Sequence, residues 1–96
     1  MDYKRFENTI IARLDKGEEV LEQLEVIAKK EQIRLASVSA LGATNDITVG
    51  VVRTEEKQYY ANHFEGDMEI VSLTGTVSTM NGQYYAHLHM SADFTA

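Results

Sequence analysis

The chain has 96 residues, enough to enclose one small core, with 44% hydrophobic residues, a net charge of −6, and neither cysteine nor proline. A chain without cysteine makes no disulfide, offers no thiolate nucleophile and builds no Cys-based zinc or iron–sulfur site. Its acidic balance works against direct nucleic-acid binding, which draws strength from Lys and Arg displacing phosphate counterions. From Val49 onward only Arg53 and Lys57 are basic, against six acids.

The opening MDYKRFENTI shows no basic-then-apolar export pattern, and no apolar run is long enough to cross a bilayer. A cytoplasmic protein without a membrane span is expected. Residues 8–14, NTIIARL, are rich in β-branched side chains and read as a strand. At Asp15-Lys-Gly-Glu18, Asp15 is placed to cap a helix and Glu18 to complete a variant of the capping box. The helix is expected from about Glu18 to Glu31. Val20, Leu21, Leu24, Ile27 and Ala28 recur at helical spacing, and the acids lie largely elsewhere as a solvated face. Acids early and Lys29 and Lys30 late suit the helix dipole.

Residues 34–41 read as a second strand, Gly42-Ala43 as a turn and residues 46–53 as a third strand. Thr54 to Lys57 is expected to turn, Gln58 to Phe64 to form a fourth strand, and Glu65-Gly66-Asp67 to turn again. One helix and about six strands, without βαβ alternation after residue 42, predict an α+β domain spanning 1–96. Its sheet is mainly antiparallel, with one principal helix packed on it. The tyrosines Tyr59, Tyr60, Tyr84 and Tyr85 suit a sheet edge or interface better than chemistry.

Asn81-Gly82 between two alternating runs predicts a type I′ hairpin, in which both central residues need positive φ. With those two residues as the loop, Val77 faces Ala86, Gly75 faces Leu88, Leu73 faces Met90 and Val71 faces Ala92 on an apolar face. The other face sets Thr76 opposite His87, Thr74 opposite His89 and Ser72 opposite Ser91. A slip of one residue destroys this agreement. His87 and His89, two apart, leave the strand on one face about 7 Å apart at the backbone, and two imidazoles so placed can meet at one metal ion. A solvated or intersubunit surface explains two polar residues equally well. His63 and Asp93 are weaker candidates for a further ligand, and Glu69, on the opposite parity of a regular strand, is a poor one. There is no Gly-x-Ser-x-Gly elbow and no Gly-rich phosphate loop, so no catalytic residue is assigned.

From Arg13 to Asp93 the chain resembles the PPC (or PCC) domain, the module conserved in plants and prokaryotes. The likeness rests on RLDKGEEVL at 13–21, SVSALGA at 37–43, DITVG at 46–50, EGDMEIVSLTGTVS at 65–78 and HLHMSAD at 87–93. It implies an α+β fold shared with acetolactate decarboxylase, and assembly as a homotrimer. It implies zinc at His87 and His89, completed in the family by a histidine of a later Gly-Gly-His element. The chain stops at Ala96, so relative to that pattern it is expected to be incomplete at its C-terminal end. In plants such domains follow AT-hooks and serve self-association and contacts with transcription factors. This chain has no hook.

The expected function is therefore a self-assembling binding and regulatory module whose association with DNA, if any, is indirect. Its partners would be copies of itself and other regulatory proteins. The alternative is a zinc-dependent enzyme acting on a small oxygenated substrate, resembling acetolactate decarboxylase.

Overall fold

A computed structural model of the chain describes residues 1–53 and 58–94 and, among these, the side chains outside 49–53 and 58–60. Two compact units emerge: Met1–Ala36 with Val77–Ala86, and Ser37–Thr76 with His87–Ala96.

The first unit opens on a hairpin of β1 (Asp2–Phe6) and β2 (Thr9–Arg13), paired antiparallel from Asp2↔Arg13 to Phe6↔Thr9. Only the second of these strands was expected. Its partner hides in a charged sequence with one half-buried side chain, Tyr3, so period-2 patterning is nearly absent. Contacts with the end of the helix fix it instead. Tyr3 donates its hydroxyl to Glu31 Oε2 at 3.0 Å, and Arg5 Nη1 reaches Glu31 Oε1 at 3.3 Å and its carbonyl oxygen at 3.4 Å. An arginine beside the last carbonyls of a helix also suits its dipole.

The helix α1 runs Val20–Lys30 and buries Ile27 and Ala28. Its start corrects the expected cap. Asp15 does not cap the helix, because Glu19 holds the N-cap position without a side-chain bond. Glu18 instead closes a tight turn ahead of the helix, accepting the Asp15 backbone N–H at 2.6 Å while its own N–H donates to Asp15 O at 3.1 Å. The Met1 amino group lies 2.7 Å from Asp15 Oδ2 and 2.8 Å from Glu18 Oε1. The other end is a Schellman motif: Ile33 N–H donates to Ala28 O at 2.8 Å, Gln32 N–H to Lys29 O at 3.4 Å, and Gln32 takes φ +55°.

Three long strands follow as one sheet in the order β3–β4–β5: Ala36–Arg53, Gln58–Met80 and Gln83–Phe94. Neighbouring strands joined by two and four residues must be antiparallel, since a parallel connection needs a dozen or more. Two expected turns are absent. Both Gly42-Ala43 and Glu65-Gly66-Asp67 lie within continuous strand. Local turn chemistry yields there to ladder pairing with the neighbouring strand. At Gly66 the open space above the backbone is taken by Phe94, whose ring would lie 3.3 Å from an added Cβ. The turn expected at Thr54–Lys57 and the side chains of Tyr59 and Tyr60 lie outside the described residues.

The Asn81-Gly82 turn forms as its residues dictate, with φ +54° and +77°. Along β5 the burial alternates without a break: Tyr84, Ala86, Leu88, Met90 and Ala92 are half-buried, and the residues between them are exposed. On β4, Leu73 and Val77 are buried while Ser72, Thr74 and Thr76 are exposed, which matches the expected two faces. Val71 is the exception at 57% exposure, although it was expected on the apolar face. Burial changes parity between Met68 and Leu73, both of them buried, as it does where a strand carries one extra residue. Among the described residues, the buried apolar side chains are Ile27, Ala28 and Val77 in the first unit and Met68 and Leu73 in the second.

Candidate functional site

His87 and His89 stand exposed on β5, where strand periodicity sends both rings to one side. Their Nε2 atoms converge to 3.1 Å, with ring centroids 4.9 Å apart at 67°. Two nitrogens each about 2.0–2.1 Å from one ion are roughly 3.0–3.4 Å apart. The pair therefore fits two positions of a metal site. In the absence of an ion the same geometry suits a shared hydrogen bond, one ring donating and the other accepting.

The backbone beneath the pair is set by Gly75 of β4. A Cβ at this position would overlap the His87 carbonyl oxygen and come within 2.8 Å of Leu88 Cα. Only glycine permits so close an approach of the two strands, and that approach fixes the segment from which both imidazoles project. The sequence shows the glycine opposite Leu88 but not the lack of space, which depends on how far the strands close.

The weaker candidates do not join the pair. His63 sits on β4 with Asp46 of β3 and Glu65, where its Nε2 is 2.5 Å from Asp46 Oδ1 and 3.8 Å from Glu65 Oε1. One hydroxyl holds the Asp46 backbone locally: Thr44 Oγ1 donates to Asp46 O at 3.2 Å and accepts the Asp46 N–H at 3.4 Å. The hydrogen bond to Asp46, followed by the charge of that carboxylate, raises the His63 pKa above its ordinary value. Among the described residues, Asp46, His63 and Glu65 are the group of three His or carboxylate side chains whose ligand atoms all lie within 4.8 Å of one another. Asp93 is exposed near the end of β5. Glu69 is exposed beyond the parity change, so regular alternation is no ground for setting it aside. Asp46 and Glu65 escaped the sequence reading, because the proximity of β3 to β4 was hidden by the two turns expected within them.

In the first unit, a cavity of about 500 Å³ is lined by residues including Lys29, Arg34, Thr79 and Tyr84. The Tyr84 hydroxyl is buried without a hydrogen-bond partner among the described residues, and burial raises its pKa.

The chain matches the Plants and Prokaryotes Conserved (PCC) domain over residues 1–93. Among curated proteins no sequence matches significantly. Solved structures do. A protein from Bacteroides thetaiotaomicron named a "putative DNA binding protein" is 31% identical with a TM-score of 0.92, covering 98% of this chain and 66% of that one. A metal-containing protein from Archaeoglobus fulgidus is 30% identical, with a TM-score of 0.78 over 82% of this chain and 56% of its own. A plant- and prokaryote-conserved (PPC) protein from Pyrococcus horikoshii is 32% identical, with a TM-score of 0.77 over 82% and 55% respectively. This chain thus spans less than two thirds of the length of each of these relatives.

Proposed function

Because the chain belongs to the Plants and Prokaryotes Conserved domain family, we propose that it is a self-assembling binding module, a homotrimer, acting through contacts with other regulatory proteins. The observation that carries this reading is apolar exposure. Leu35 is 77% and Leu41 86% exposed, and Ile11, Val71 and Phe94 are more than half exposed. Among the described residues the buried apolar side chains are Ile27, Ala28, Met68, Leu73 and Val77, and a chain of this length gains stability by covering more of its apolar surface. Further copies of the chain would cover the exposed side chains and pair open strand edges. Replacing Leu41 by Glu would place a charge in that contact, and sedimentation velocity should show the assembly giving way to monomer. An assembly unchanged by Leu41→Glu would remove Leu41 from the interface.

Direct DNA binding is not part of the proposal, despite the name of the Bacteroides relative. A net charge of −6 works against phosphate binding, which depends on Lys and Arg.

A second reading rests on the converging His87 and His89 imidazoles. These two side chains would hold a metal ion, zinc by the family resemblance, and the metal-containing Archaeoglobus relative supports the presence of an ion. Such an ion supplies Lewis-acid chemistry, lowering the pKa of bound water or polarising a carbonyl. Hydroxyls of Ser72, Thr74 and Thr76, exposed on the strand beside the pair, are suited to orienting an oxygenated substrate. Enzyme activity lost in a His87→Ala, His89→Ala variant that assembles normally would favour this reading over the first.

A further inference from the structure

The group on β3 and β4 is chemically distinct from the histidine pair. Neither His87 nor His89 belongs to it, and it combines one imidazole with two carboxylates. We propose that Asp46, His63 and Glu65 form a second metal site, binding a divalent transition-metal ion independently of His87 and His89.

The strand geometry assembles the ligands. His63 and Glu65, two apart on β4, leave on one side, and Asp46 meets them from the adjacent strand. His63 Nε2 already faces both carboxylates, at 2.5 Å and 3.8 Å. An ion about 2.0–2.2 Å from each ligand atom asks for separations of roughly 3.0–3.4 Å between them. The shorter gap must open by somewhat more than half an ångström and the longer close by about as much, within reach of small side-chain rotations. All three side chains are exposed.

Charge points the same way. Once His63 gives up its proton, as a metal ligand must, the two carboxylates beside it concentrate a charge of −2, which a divalent cation neutralises. The imidazole selects the class of ion: nitrogen ligands suit zinc and its transition-metal neighbours, whereas magnesium and calcium prefer oxygen alone. Three protein ligands leave further coordination positions to water. The site is open to solvent.

The experiment is calorimetric titration of the 96-residue chain with Zn²⁺ at pH 7.5, in a His87→Ala, His89→Ala background that removes the other pair. Retention of one Zn²⁺ per chain is expected. Adding His63→Gln should weaken that binding at least tenfold, and so should Asp46→Asn with Glu65→Gln, which keeps the imidazole. Millimolar Mg²⁺ should not compete. The proposal is overturned if the His87→Ala, His89→Ala protein takes up no Zn²⁺, or if neither set of added substitutions weakens uptake. Circular dichroism of each variant separates a lost ligand from a lost fold. Comparison of wild type with the double variant reads the histidine pair separately, and the mass of the particle reads assembly.

Discussion

Gly75 lies where a single methyl group decides whether two strands can meet. Because an added Cβ would run into the backbone at His87 and Leu88, no side-chain rotation relieves the overlap. Gly75→Ala should lose about 2–3 kcal/mol of stability, as overpacking typically does. Urea unfolding measures the loss, and the ring resonances of His87 and His89 should shift in the same variant. The opposite effect is expected at Gln32, which holds the left-handed position of the Schellman motif at φ +55°. Glycine is the usual occupant there, so Gln32→Gly should raise unfolding stability by about 0.5–1 kcal/mol. The Met1 amino group links stability to pH. Hydrogen bonds to Asp15 and then Glu18 raise its pKa from 8.0 to about 10. A group whose folded pKa is raised contributes fully below its unfolded pKa and loses that contribution as pH rises through the folded one. The thermal midpoint should therefore fall between pH 8 and 10, and Asp15→Asn should flatten that fall. The same contacts hold Asp15 and Glu18 below the ordinary carboxylate range, so their contribution is lost on the acid side.

At the scale of elements, legibility followed the strength of the local pattern. The helix and the Asn81-Gly82 hairpin could be read because their signals are dense. Apolar residues recur at helical spacing in the one, and two alternating strands flank an obligate turn in the other. The faces of β5 followed from that turn, and with them the common side of His87 and His89. The hairpin partner β1 could not be read, since Glu31 at the end of α1 holds it through Tyr3 and Arg5 rather than through apolar alternation. Gly42 and Gly66 misled in the other direction. Each has the local chemistry of a turn, but pairing along β3 and β4 keeps the chain extended. That error concealed a candidate site, for Asp46, His63 and Glu65 meet only when both strands run on unbroken. The parity change between Met68 and Leu73 was invisible as well, because a strand read by strict alternation has no place for an extra residue.

No helix among the described residues is long and apolar enough to cross a membrane. A net charge of −6 works against phosphate binding, and Leu35 and Leu41 are exposed, the features on which the proposed function rests. Assembly is the premise on which the proposed function stands. It is tested most directly by multi-angle light scattering of the wild-type chain at micromolar concentration, behind a sizing column at neutral pH. A single particle of three times the 10.8 kDa chain mass is expected. A stable particle of one chain mass under the same conditions would contradict that premise.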